Sequence, residues 1–459
     1  MNKYRPPSKA EVSFPYNTFK LKHSSASSYI GDYAIFKRLL DSRIENEEED
    51  EVIDLIEQFF LERPFYRPVL FGFYTNLINS VGSVRLAREV ARVFVETTDR
   101  LLEIGQRDFG LPPILDSYWM LERIGELADQ SASVKFMKKL NKLDQKPLLC
   151  TFINRPIVNK AFIPYLSDCF EIITDAKDCN YILDQAALSP VDPSFFKHSN
   201  TSYGHNSGFF SASYADLISM DHSPVAFSLK DETITVAQKF LKKYGLELND
   251  QFVVFHVREG GYIDAIQHQY RNSDPNDYRE AINWLLDAGF KVVRIGHSKM
   301  TSLDGCDGLI DLTKIDRPGE VDIYLCGAAS FYFGSGSGPF SLAYNFGVPI
   351  AYSSAIPYGR TRPNVFKHFL ELKNKETNEA IGFSGISEMG LELICSPKIL
   401  NRYNLVPSVP SSKEHLDFVK EMVEYMEEGP IFQLNKSRFD EKQKQGIMEG
   451  LCSKSLELL

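Results

Sequence analysis

The sequence predicts an α/β fold with a doubly wound parallel sheet, and three observations predict it. Between residues 250 and 352, short apolar runs alternate with amphipathic stretches, and glycines or aspartates punctuate the junctions. The apolar runs are continuous rather than alternating, as in "QFVVFHV" and "VPIAYSS". Continuous hydrophobicity marks parallel strands covered on both faces, and strands alternating with helices give a doubly wound sheet.

Residues 1–30 are rich in Pro, Ser and Tyr without periodicity and predict a loose lead-in. Residues 44–142 read as a helical region. There "EEEDEVIDLIEQFFLE" spaces Val52, Ile53, Ile56, Phe59 and Phe60 by threes and fours. Its acidic opening suits a helix start, where negative charge meets the dipole. "SVRLAREVARVFVETTDRLLEIG" continues the pattern and closes on glycine. No fixed period recurs, so a helical-repeat array is not expected. At "KPLLCTFINRPIVNKAFIPYLSDCFEIITD" the texture becomes strand, helix, strand, and "YGHNSGFFSASYADLIS" predicts loops near a cleft. "DETITVAQKFLKKYGLELND" is an amphipathic helix stopping near Gly245.

From there the order is regular. "QFVVFHV" is a strand, "DYREAINWLLDAG" a helix, and "FKVVRIG" and "LIDL" are strands. "GEVDIYLCGAA" is a helix, "SFYFGS" a strand, "GPFSLAYNFG" a helix and "VPIAYSS" a strand. Near the end, "SSKEHLDFVKEMVEYMEEG" is a helix that opens on serine and stops at glycine.

The 459 residues exceed what one core organises. With 43% hydrophobic and 24% charged residues the chain is globular in composition, and a net charge of −10 argues against non-specific nucleic-acid binding. Seven scattered cysteines without a C-x-x-C predict reduced thiols in an intracellular protein. No run approaches 18 apolar residues and the N-terminus has no apolar signal core, so a cytoplasmic protein is expected, with attachment to the inner face of a membrane left open.

Ligands of open α/β sheets bind beyond the carboxyl ends of the strands. His256, Arg258, Glu259, Gly260 and Gly261 stand at one such end, and "GSGSGPFS" (Gly334–Ser341) at another, where a strand gives way to a helix. Glycines allow close backbone approach, helix-start amides favour an anion, and arginine offers a bidentate fork. Two anion-seeking elements on one rim point to a phosphate-bearing ligand. "GSGSGP" lacks the P-loop lysine, and its proline does not fit a dinucleotide G-x-G-x-x-G. No two aspartates are separated by one residue, no cluster has metal-ligand spacing, and no G-x-S-x-G elbow occurs. Glu259 and Asp264 are base candidates by position, although an ion-pair or surface carboxylate is the commoner use of either. His268 and His297 read as loop histidines, and Trp284 as core on a helix.

"FVVFHVREGGY", "YRNSDPNDYREAINWLLDAGFKVVRIG" and "DIYLCGAASFYFGSGSGPFSLAYNFGVPIAY" together resemble a group of bacterial glycosyltransferases found with surface-polysaccharide genes, over residues 231–428. More remotely, H-x-R at a strand end, then an Asp and a Ser/Gly turn, is similar to the fucosyltransferase superfamily. The resemblance implies a GT-B-like fold: two Rossmann-like doubly wound domains with an N-terminal α-helical region. The expected division is 1–142 helical, 143–240 an acceptor-side Rossmann-like domain, 241–385 a nucleotide-sugar domain and 386–459 a C-terminal helical extension. It implies a glycosyltransferase, inverting in outcome, that uses a nucleotide-sugar donor and a glycan or glycoconjugate acceptor, with no metal or other cofactor. Association with a polysaccharide-synthesis complex is a further expectation. Arg258, His256 and Glu259 would be catalytic. Arg258, Gly260, Tyr270, Arg271, Asp322, Ser335, Ser337 and Gly338 would bind the donor. Glu259 and Gly260 replace a second Arg and an Asp of the fucosyltransferase pattern, which puts fucose in doubt as the donor sugar. The competing reading is a non-catalytic nucleotide- or sugar-binding protein or scaffold on the same fold, which would bind a nucleotide without turnover.

Overall fold

The continuous apolar runs become parallel strands in two sheets. A computed structural model describes residues 49–62, parts of 83–96, 114–115, 123–140, 146–150, 157–173, 190–191, 195–197, 203–205, 225–260, 266–356, 365–391, 397–427 and 452–456. Helix α1 is Glu49–Glu62, with Glu49, Asp50 and Glu51 in its first turn as the dipole favours. The first sheet comprises β1 (Ile114–Leu115), β2 (Leu148–Cys150), β3 (Glu171–Ile173) and β4 (Pro190–Val191) in the order β3-β2-β1-β4, every neighbour parallel. Helix α2 (Ile124–Lys139) connects β1 to β2, and α3 (Ile163–Cys169) connects β2 to β3. A small antiparallel pair, β5 (Phe195–Lys197) and β6 (Tyr203–His205), follows; the rest of the expected loop piece at 206–219 lies outside the described residues.

Helix α4 (Asp231–Leu241) leads into the second sheet, and Gly245, in the left-handed region at φ 76°, ends its last turn. The strands are β7 (Phe252–His256), β8 (Lys291–Arg294), β9 (Ile310–Asp311), β10 (Phe331–Gly334), β11 (Ile350–Ala355) and β12 (Val365–Phe369). They lie in the order β12-β11-β10-β7-β8-β9, all parallel. Helices α5 (Arg279–Asp287), α6 (Gly319–Ala328) and α7 (Gly338–Asn345) make the crossovers. The order reverses between β7 and β10. Such a reversal leaves a crevice at the strand ends, because the two crossovers depart to opposite sides.

Burial follows the two-residue period of the strands. Phe252, Val254 and Tyr332 face one core cluster, with Ile323, Leu325 and Ala343 of α6 and α7. Val253, Phe255, Phe331 and Phe333 face the other, with Ile282 and Leu285 of α5. The first cluster runs on into Leu127 of α2 and Phe162 and Tyr165 near α3, so it joins the two sheets' helices in one core. Partly buried Trp284 packs against the second cluster, as the sequence predicts. Cys169, Cys326 and Cys452 are buried thiols; burial pushes Cys169 up to about 12 and Cys452 up to about 11. Among the described residues no helix is long and apolar enough to cross a membrane.

The α/β expectation of two doubly wound units is met, with two corrections to the expected boundaries. Residues 114–139 fall within the expected helical region 1–142, yet β1 pairs with β2 and α2 crosses between them, so the first sheet begins before residue 143. The span 386–459 is not simply a helical extension. Its β14 (Leu405–Ser408) pairs antiparallel with β13 (Glu371–Asn374), and α8 (Phe383–Glu388) spans the expected boundary. Beyond α9 (Pro397–Arg402), α10 (Ser412–Glu427) brings Phe418, Val419 and Met422 into the second sheet's core. The serine opening of α10 is a capping box, with Ser411 and Glu414 exchanging hydrogen bonds.

Gly334 ends β10 at φ 146°, opposite His256 in register, and a methyl group there would run into the His256 carbonyl oxygen. Gly334→Ala is expected to destabilise the protein by about 2 kcal/mol or more. An unchanged urea midpoint would show that the two strands can part without cost.

Candidate functional site

A cavity of about 360 Å³ opens at the β7/β10 reversal. Its second-unit wall carries His256, Arg258, Glu259, Arg271, His297, Asp322 and the start of α7; its first-unit wall carries Arg123, Ile124, Gly125, Glu126, Asp129 and Asn159.

The β7 end is built by backbone pairing. Ser335, 1% exposed, accepts the Arg258 amide on its hydroxyl at 2.7 Å. The Ser335 amide donates to the His256 carbonyl at 3.2 Å. The buried Tyr332 phenol reaches the same carbonyl at 3.0 Å, the Ser335 carbonyl at 2.9 Å and the Ser337 hydroxyl at 3.0 Å. Ser337 is the N-cap of α7, but its hydroxyl turns to Tyr332 and makes no cap hydrogen bond. The start of α7 lines the cavity without a side-chain cap from Ser337, and a helix start of this kind favours an anion.

His256 lies 6% exposed, and its Nδ1 contacts the Ile295 carbonyl at 2.9 Å. A carbonyl only accepts, so Nδ1 carries the proton and Nε2 the lone pair. Burial lowers the ring's pKa to about 4, so it is neutral near pH 7. This contact ties β7 to the loop after β8, and His256 lines the cavity. Glu259, expected as catalytic, also lines the cavity. Its Oε1 accepts from Arg294 at 3.0 Å and its Oε2 from the Thr301 amide at 2.9 Å, so both oxygens serve the loop. Arg294, 1% exposed, also donates to Asp311 at 3.0 Å. Asp264, the other expected base, lies outside the described residues.

Asp322 lines the cavity from the first turn of α6, held by Arg317 at 2.7 and 3.3 Å. Burial raises the Asp322 carboxyl and Arg317 opposes the rise. Arg317 also donates to the carbonyls of Leu312, Ile315 and Gly296, clamping the loops after β8 and β9. Arg271 lines the cavity, and its buried Nε has no hydrogen-bond partner among the described residues. Gly260 is exposed and outside the lining, and Tyr270 packs against the core instead of lining the cavity.

Several lining residues carried no signal readable in the sequence. His297, expected as a loop histidine, lines the cavity; its Nδ1 accepts the Lys299 amide at 3.2 Å, which leaves the proton on Nε2. Arg123, Gly125, Glu126 and Asn159 come from stretches read as helical or as connections. Only the "RPGEVD" start of α6 hinted at Arg317, five residues before Asp322.

The two walls meet at a glycine pair. A Cβ on Gly125 would lie 2.9 Å from the Gly338 Cα, and one on Gly338 would lie 2.6 Å from a methyl of Ile124. One helical turn on, the buried Asp129 carboxylate accepts from Ser341 at 2.9 Å and from Asn345 at 2.8 Å. Two helix starts in contact bring two partial positive charges together, and Asp129 supplies a negative charge between them. Asn159 adds a third tie, donating to the Gly319 carbonyl at 2.9 Å. Among the described residues no group of His, Cys, Asp and Glu has the disposition of a metal site.

No family pattern matches the chain, and no curated protein matches it in sequence. Solved structures do match. The ADP-heptose lipopolysaccharide heptosyltransferase II of E. coli is 11% identical, covering 51% of this chain and 84% of its own, with a TM-score of 0.32. A family 9 glycosyl transferase from Veillonella parvula is 14% identical, covering 52% and 64%, at 0.23. The iron-containing dodecameric glycosyltransferase TibC of enterotoxigenic E. coli is 16% identical, covering 56% and 63%, at 0.33. Likenesses this distant do not define an activity; the cavity's own chemistry has to.

Proposed function

We propose that this protein is a GT-B glycosyltransferase that moves a sugar from a nucleoside-diphosphate sugar to a glycan, lipid-linked or protein acceptor, with inversion and without a metal. The observation that carries the reading is the cavity at the β7/β10 reversal, where Arg258 and the start of α7 share one rim. Glycosyl transfer builds negative charge on the departing diphosphate. Groups that already face that charge lower the barrier without reorganising. Arg258 and the amides after Ser337 are placed for this role, and Arg271 lies on the same wall. The Arg258 amide bonded to Ser335 fixes where the arginine leaves the strand. Asp322, oriented by Arg317, is placed to accept hydrogen bonds from the nucleotide. The acceptor enters from the α2 side, across the cavity from the diphosphate.

The test is a thermal-shift panel of nucleoside diphosphates and their sugar derivatives, on the wild type and Arg258→Ala, with and without EDTA. A ligand at 100 times its Kd stabilises by about 2.7 kcal/mol, which raises the Tm by roughly a degree or more. One base class is expected to shift the wild type equally with EDTA, and the variant at least tenfold more weakly. A protein that no nucleotide shifts is not a nucleotide-sugar enzyme. A shift that EDTA abolishes ends the metal-free reading.

A further inference from the structure

We infer that Tyr332 is a positioning residue that keeps the start of α7 open to an anion, by engaging the Ser337 hydroxyl that would otherwise cap that helix; this rests on the donor site proposed above. Tyr332 is fully buried behind the cavity rim and is not itself part of the lining. Three oxygens surround its phenol within 3.0 Å: the His256 carbonyl, the Ser335 carbonyl and the Ser337 hydroxyl. Burial pushes the phenol well above its ordinary value, so it keeps its one proton. The two carbonyls only accept, and the phenol proton goes to them. The third contact then runs the other way, with the Ser337 hydroxyl donating to the phenol oxygen.

That engagement decides what the helix start can offer. Serine is a favoured N-cap because its oxygen accepts an amide from the second or third residue of the helix. In α7 the second residue is Pro339, which has no N–H, so only the Phe340 amide is available to a cap. Ser337 occupies the cap position, its carbonyl accepting from the Ser341 amide at 3.4 Å, yet its hydroxyl makes no cap bond. The Tyr332 ring meets Phe340 edge to face with centroids 6.0 Å apart, so it bears on both ends of the bond that is not made. Gly336, Ser337, Gly338 and Pro339 line the cavity, and this uncapped turn is part of its wall. Arg271 lines the same cavity with a buried Nε that has no hydrogen-bond partner among the described residues, a second donor there left for a ligand. The α7 backbone, and not the Ser337 hydroxyl, is then what meets the phosphate.

The experiment titrates the full chain with ADP, UDP, GDP and inorganic pyrophosphate by calorimetry, with urea midpoints to check folding. Tyr332→Phe keeps the ring and removes the oxygen, which leaves Ser337 to cap α7. It is expected to weaken the tightest of these probes about fivefold, the competition that a serine cap of ordinary strength exerts. Tyr332→Phe/Ser337→Ala has no hydroxyl to cap with and should return to within about twofold of the wild type, a rescue that a merely structural role of the phenol would not give. A Tyr332→Phe variant that binds as tightly as the wild type overturns the inference. So does a double variant no tighter than the single one, since the phenol would then act only through the strand ends. Ser337→Ala alone covers the case in which the phenylalanine variants fold poorly. A loss under about twofold supports the inference, and a loss of about fivefold or more makes the hydroxyl itself the ligand and overturns it. A wild type that binds none of the four probes brings down the donor site itself, a distinguishable result.

Discussion

Arg294→Met is expected to lower the unfolding free energy by about 3–5 kcal/mol and to weaken nucleotide binding as well. Arg294 is 1% exposed and holds two carboxylates, Glu259 and Asp311, at 3.0 Å each. Removing one partner of a buried ion pair leaves charge without compensation, which costs far more than the pair contributes net. Most of the loss should come from Glu259, only 10% exposed, because Asp311 is 29% exposed and keeps its bonds from Thr313. Glu259 adjoins Arg258, and its other oxygen anchors the Thr301 amide, so the loop carrying the arginine proposed to meet the diphosphate loosens at the same time. Arg294→Lys should not rescue it, since one ammonium cannot serve both carboxylates in the geometry of a planar guanidinium. Urea denaturation of both variants gives the answer. A loss under about 1 kcal/mol for the methionine variant would mean that the network does not hold the loop.

The second large effect is acid lability above the range where carboxylates titrate. His256 and His368 have pKa values lowered by burial to about 4, and burial lowers His415 to about 3. His415 stacks on Tyr278 with ring centroids 3.9 Å apart and bonds Ser353 at 2.9 Å, and His368 lies beside it. Below the ordinary histidine value of 6.5, the unfolded chain takes up protons that the native rings refuse. Stability is therefore complete above that value and declines as pH falls from there toward 4. Each neutral histidine costs up to about 1.4 kcal/mol per pH unit, so the three together cost up to about 4. Unfolding free energy measured at pH 7.5, 6.5 and 5.0 should fall steeply over the last interval, and His368→Gln should reduce the slope by about a third. A level profile over that interval would mean the rings titrate freely.

The second unit was readable because its strands are buried on both faces, and such burial writes itself as unbroken apolar runs. "QFVVFHV" and "SFYFGS" gave β7 and β10, and polar residues at their ends placed His256, Arg258 and Ser337 in one crevice. What the sequence could not convey was which polar group each side chain would meet. Glu259 and Arg294 are 35 residues apart, and nothing in either stretch signals that they pair. The first unit was obscured for a different reason. Its strand β1 has two residues, too few for any period to show, and α2 is polar on faces that the structure buries, with Asp129, Gln130, Ser131 and Ser133 all enclosed. A helix whose polar residues bond across to another domain looks, in sequence, like a solvated one.

The seam between α2 and α7 also limits how this protein can be recombined. A chimera joining its first half to another protein's second half would bury the Asp129 carboxylate against a surface with no counterparts to Ser341 and Asn345. It would also set Gly125 against a side chain in place of Gly338. The unit that can be exchanged is therefore not either domain. It is the pair of helices, which must travel together even though more than 200 residues of chain separate Asp129 from its partners.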